Sequence, residues 1–125
     1  MKLKYKSIST NALNKESTTF ETAYIDFKEE TRDQFIVLNF SDGKNDHHLE
    51  ISSEEIYLEY ANQKVHMILD SKVPNEYKGP EGKTIYFDWH LETINIGLKQ
   101  ISFFYNISVQ NEVLTENQIY IDFIK

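Results

Sequence analysis

The stretch KTIYFDWHLETINI, Lys83 to Ile96, sets Asp88, His90 and Glu92 at alternate positions around Trp89, the only tryptophan of the chain. An aspartate, an imidazole and a glutamate this close could relay a proton. If a tight turn lay between Asp88 and Glu92, their carboxylates would face each other at ~5 Å, the separation that retaining glycosidases use. That chemistry needs a sugar-binding cleft, and nothing around these residues supplies one. The plainer reading is a solvated corner of a β-structure.

A second cluster, DHHLE, places Asp46, His48 and Glu50 on one face of a strand, a spacing compatible with a cation. That face follows a turn and reads as outward and solvated, while His47 points away with Leu49 and Ile51. His66 stands opposite Val65, Met67 and Leu69 and so faces water. No two histidines have the helical i, i+4 spacing of a zinc hydrolase, and a catalytic zinc needs three protein ligands. Neither a metal site nor a cofactor is expected.

Nucleophilic catalysis has no better footing. There is no Gly-x-Ser-x-Gly elbow, and GPEGK, from Gly79, lacks the spacing and the strand-to-helix setting of a phosphate loop. A barrel that hydrolyses triphosphates needs a tunnel of alternating acidic and basic residues, whereas the inward positions here are Ile, Leu, Val, Phe and Tyr. An enzyme built on Asp88, His90 and Glu92 is therefore the weakest of three functional readings.

Composition narrows the field further. A chain of 125 residues with 40% hydrophobic content fits one domain, 1–125, with a core of its own. The formal charge is −7 and Arg32 is the lone arginine, so the bidentate forks that favour phosphate recognition are missing and nucleic acid is not an expected partner. Lys2, Lys4 and Lys6 share one face of a strand, where lysines discourage edge-to-edge aggregation. With no cysteine, disulfides, thiolate–zinc sites and thiol catalysis are excluded. No apolar run approaches the ~18 residues of a membrane-spanning helix and no leader pattern opens the chain, so no membrane partner and a cytoplasmic location are expected.

The elements that must position these residues are almost all strands. Period-two alternation with β-branched and aromatic residues recurs throughout, and helical periodicity is nearly absent. KLKYKSI opens, the polar TNALNKE follows, then STTFETAYIDFKEE, and QFIVLNF puts Ile36, Leu38 and Phe40 on one face. SDGKND carries an Asp-Gly turn signal. Leu49 and Ile51 differ in parity from Ile56, Leu58 and Tyr60, so a turn between Ser52 and Glu55 must reset the face. An Asn-Gln turn is expected before KVHMILD. Both prolines and two of the four glycines lie in SKVPNEYKGPEGK, Ser71 to Lys83, which reads as an irregular connection, a surface crossover or a lid over a barrel mouth. Four strands then finish the chain. About eight to ten strands in sequential meander close most readily as a single antiparallel up-and-down β-barrel, with a two-sheet sandwich as the competitor.

The stretch GPEGKTIYFDWHLETINIGLKQISFFYNISVQNEVLTENQIYIDFI resembles the YwiB-like family of uncharacterised bacterial proteins, in its Gly-then-Thr-then-Tyr approach, its Leu-Glu pair and its final strand after a polar turn. The resemblance implies a calycin-like (lipocalin-like) barrel with one end open or plugged. Family members tend to carry a turn with proline and glycine where this chain has DWHL, so residues 88–91 are expected to form a bulge or a continuous bent strand instead.

A barrel of this size is either filled by its side chains or holds one small ligand. Tyr60, Phe87, Trp89, Phe103 and Tyr105 are large enough for either role, and His90 could serve as a polar anchor. The favoured reading is a non-enzymatic barrel that binds a small, largely apolar molecule at the mouth beneath residues 71–83. The alternative is a solid barrel whose outer face, through Phe104, Tyr120 and Ile124, docks a second copy or another protein.

Overall fold

The structure, a computed structural model, describes residues 1–124. Eleven strands account for most of them. They are β1 (Lys2–Asn11), β2 (Ser17–Glu21), β3 (Ile25–Arg32), β4 (Phe35–Ser41), β5 (Asp46–Ile51), β6 (Glu55–Tyr60), β7 (Gln63–Ile68), β8 (Lys72–Lys78), β9 (Thr84–Ile96), β10 (Gln100–Val109) and β11 (Glu112–Ile124). All ladders are antiparallel, and the sheet runs β7-β6-β5-β4-β3-β1-β11-β10-β9-β8, with β2 on β1. The first and last strands pair in the middle of that order, from Lys2↔Ile124 to Asn11↔Thr115. The two ends of the order, β7 and β8, are consecutive in sequence and meet to close the wall. The result is an up-and-down antiparallel barrel, nearly closed.

The alternation read from the sequence sets the inner face. Leu38, Leu49, Ile51, Ile56, Ile101 and Phe103 are almost fully shielded from water, and each such side chain contributes roughly 1.5–3 kcal/mol by leaving it. The parity change between β5 and β6 falls at the expected place. There the Ser52 hydroxyl donates to the Glu55 carbonyl and accepts from the Glu54 and Glu55 N–H groups, which fixes a tight turn.

Several elements differ from the sequence expectation. STTFETAYIDFKEE is two strands, because Thr22 interrupts it: its hydroxyl accepts the Tyr5 N–H at 3.0 Å and its own N–H donates to the Tyr5 carbonyl. The turn between β6 and β7 is Ala61-Asn62, not Asn-Gln, and both residues adopt positive φ (51° and 64°), the mirror-image turn that suits a two-residue hairpin. Ser71 to Lys83 is neither a long irregular connection nor a lid. It contains β8, paired with β9 from Lys72↔His90 to Lys78↔Thr84, and only the short Pro80–Gly82 turn is irregular. Pro74 fits inside β8 because that strand has a backbone ladder on one side only.

The missing ladder is replaced by a side chain. The buried Asn75 amide lies against β7, where Oδ1 accepts the His66 N–H at 2.9 Å and Nδ2 donates to the His66 carbonyl at 2.9 Å. A carboxamide offers the same donor and acceptor as a peptide group, so Asn75 stands in for a strand residue across the seam. Below it, the Asp70 N–H donates to the Leu91 carbonyl and Leu69 bridges Leu91, so the chain after β7 reaches β9 directly.

Candidate functional site: the aromatic end of the barrel

The DWHL segment lies within one continuous strand. Its face changes by a bulge one step later, since Phe104 pairs with Thr93 and Tyr105 with Leu91, leaving Glu92 as the extra residue. Trp89 and Leu91 therefore point inward before the bulge, and Ile94 after it. The Glu92 carboxylate accepts a hydrogen bond from the Asn106 amide at 2.6 Å. Asp88 and His90 alternate with Trp89 and stand on its opposite, outer side. Thus Trp89 and His90 do not share a face, and Asp88 and Glu92 do not confront each other across a turn.

Inside, the aromatic residues sort into two groups. Trp89 stacks on Tyr105 with ring centres 5.0 Å apart, and Phe103 also stacks on Tyr105, at 6.2 Å. Phe87 meets Tyr77 edge-on. Tyr60 belongs to a different stack, Phe40–His47–Tyr60, in which the imidazole lies parallel between the two rings at 4.7 and 5.2 Å. Strand register produces that stack: Phe40 pairs with His47 across β4 and β5, and Tyr60 lies one step beyond the His48↔Glu59 pair. Tyr5, from β1, packs against both Phe40 and His47.

His47 is the polar centre of this end, and its partner comes from the neighbouring turn. In the Asp42–Asn45 turn, Asp42 Oδ1 accepts the backbone N–H groups of Lys44 and Asn45 at 2.8 Å, with Gly43 at φ 95°. Its Oδ2 is then free to meet His47 Nε2 at 2.8 Å. Both side chains are almost completely buried. Burial opposes ionisation of Asp42, but the His47 bond and the two backbone donors outweigh it and hold its pKa down to about 2. An ionised carboxylate can only accept, so the proton in this contact sits on Nε2. Nδ1 therefore remains directed elsewhere.

Next to this pair is a pocket of about 260 Å³, lined by Tyr5, Ser7, Phe20, Asp42, Asn45, His47 and Tyr60. Burial, with Tyr60 and Asp42 nearby, pushes the Tyr5 hydroxyl well above the usual phenol range. Burial does the same to Tyr105, with Tyr5 and Tyr60 adding to it. The side chains of Tyr5, Tyr60 and Tyr105 thus converge at this end of the barrel. Below them the lumen is filled by aliphatic side chains such as Ile51, Ile56, Met67 and Leu91. The lumen is plugged there, and the pocket lies at the rim beside Tyr60 and Phe20.

Of the residues singled out in the sequence, Tyr60 lines this pocket and Tyr105 lies behind it. Trp89 and Phe103 lie behind Tyr105. Phe87 packs on the core margin, and His90 is on the outer side. His47, Asp42 and Tyr5 were missed, although His47 already shared the apolar parity of Leu49 and Ile51. A histidine at an inward position needs a buried partner, and the adjacent Asp-Gly turn offered one.

Outside the barrel, His48 Nε2 contacts Glu50 at 3.1 Å and its Nδ1 contacts Asn39, as members of a polar outer face. No group of three His, Asp or Glu side chains among the described residues is arranged to hold a metal ion. No helix among them is long and apolar enough to cross a membrane. Phe104 and Tyr120 meet edge-on at 5.8 Å on the outer face of β10 and β11, and Ile124 is exposed beside Lys2.

No protein-family model matches the sequence, and no curated protein matches it. Among solved structures it is similar to the ywiB protein from Bacillus subtilis, with 17% sequence identity and a TM-score of 0.69, over 99% of this chain and 91% of that one. At this identity the likeness speaks for the fold, and it agrees with the YwiB-like resemblance read from residues 79–124. The chain has the β-barrel fold of the YwiB protein.

Proposed function

We propose that the chain is a non-enzymatic binding protein that takes a small, largely apolar molecule into the pocket at the rim of its barrel. The observation that carries this reading is the pocket itself: the aromatic side chains at this end line about 260 Å³ that is open to solvent on one side. Small-molecule sites begin near ~300 Å³, so the guest is about one ring or a short chain in size, and a long-chain lipid is too large. Tyr5, Phe20 and Tyr60 are the walls, and His47 replaces His90 as the polar anchor. Trp89 is the built-in reporter, coupled to the pocket through Tyr105.

The test is a thermal-shift and Trp89-fluorescence screen with small aromatic and apolar metabolites. A binder at a hundred times its Kd should add about 2.7 kcal/mol of stability, visible as a rise in Tm of several degrees. Tyr60→Ala, at a half-exposed position, should weaken that response. A broad screen that moves neither Tm nor emission overturns the reading.

The alternative remains a docking role for the outer face, favoured by the Phe104–Tyr120 pair and the exposed Ile124. It requires a complex or dimer that Phe104→Asp abolishes. An unchanged elution volume for that variant counts against it.

A further inference from the structure

The pocket lining has a consistent chemistry. Among the described residues it contains one carboxylate, Asp42, and no lysine or arginine. Asp42 is kept ionised by its turn, and its side-chain partner is His47, whose Nε2 carries the bonded proton. The remaining lining is Tyr5, Phe20 and Tyr60, with Ser7 and Asn45 as neutral polar groups. Phenol and hydroxyl oxygens and the Asn45 side-chain carbonyl can accept hydrogen bonds from a donor-rich guest. Aromatic rings beside a carboxylate are also the surroundings in which ammonium groups are recognised. The whole chain carries −7, so the long-range field pulls in the same direction. Resting on the binding function proposed above, we infer that the guest of the His47–Asp42 pocket is a small organic cation, an amine with an apolar or aromatic body.

An anionic guest would meet the Asp42 carboxylate with no lysine or arginine among the described lining residues. A neutral guest would use the walls but leave the carboxylate's field unanswered. The three classes can therefore be separated with probes of matched shape: tyramine as the cation, 4-ethylphenol as the neutral analogue and 4-hydroxyphenylacetate as the anion. Benzylamine and choline extend the cationic set.

The experiment is titration of the full chain with each probe, read by Tm and by Trp89 emission. Tyramine should bind about tenfold more tightly than 4-ethylphenol, with no response to 4-hydroxyphenylacetate. Asp42→Asn should remove the preference for the amine. Should that variant fail to fold, Ser7→Lys introduces a cation at the pocket wall without touching the His47–Asp42 pair, and should abolish tyramine binding. Equal or tighter binding of 4-ethylphenol or 4-hydroxyphenylacetate overturns the cation assignment while leaving a binding barrel in place. Silence from all three amines overturns it as well. The binding function itself falls only if the broad screen is also silent.

Discussion

Asp42 and His47 illustrate how a turn can prepare a buried site. The aspartate first closes its own hairpin through Oδ1, and the remaining oxygen then fixes one edge of the imidazole. Because its folded pKa is about 2, below the ordinary value of 3.8, this carboxylate stabilises the fold above the ordinary value. That stability is lost as pH falls through the window from about 4 to about 2. Denaturant melts across this window should show a loss on the order of 1 kcal/mol, allowing for solvent screening at the barrel rim, and Asp42→Asn should lack this component. A second prediction concerns the bulge. Glu92→Ala leaves the Asn106 amide without its acceptor, and should cost about 1–3 kcal/mol in equilibrium unfolding while leaving the barrel's circular-dichroism spectrum intact. At this scale the sequence was partly legible. Parity put His47 inside and Asp46, His48 and Glu50 outside, but what it could not supply was the approach of β1, which brings Tyr5 onto the imidazole from a distant part of the chain.

The strands were legible where residues alternate and obscure where they do not. In β4, β5, β10 and β11 period two states the inner face directly, whereas β8 is KVPNEYK, with a proline, an asparagine and charged residues. Such a segment reads as a loop because local preference opposes a strand, and only the neighbouring β9 and the seam make it one. The Asn75 amide supplies what the backbone does not. Asn75→Leu should strand both the N–H and the carbonyl of His66, a cost of roughly 1–3 kcal/mol for each group. Asn75→Asp can still accept the N–H but cannot donate to the carbonyl, so it should rank between wild type and Asn75→Leu in a urea melt. Hydrogen exchange at the His66 amide should accelerate in the leucine variant, and an unchanged rate would show that β7 holds itself closed without Asn75.

For the whole molecule, an all-β meander follows from turn signals and alternation, and closure follows from the number of strands. The location of the closure does not, since it depends on which consecutive pair fails to form a ladder. The ends of β1 and β11 are paired, so a circular permutant that joins residues 1 and 125 by a short Gly/Ser linker and opens the chain between Asp70 and Ser71 should fold to the same barrel. Its near-ultraviolet circular dichroism, to which the Trp89–Tyr105 stack contributes, is the check. The seam also bears on how copies of this protein treat one another. β7 and β8 are two strand edges that face each other, and an edge that its own neighbour leaves free can recruit a foreign strand. Pro74, which lacks an N–H, and Asn75, which occupies the gap, together deny that opening to a second chain. Replacing both, as Pro74→Val with Asn75→Val, should turn this seam into a template for strand exchange, with larger species than wild type growing with concentration on a sizing column.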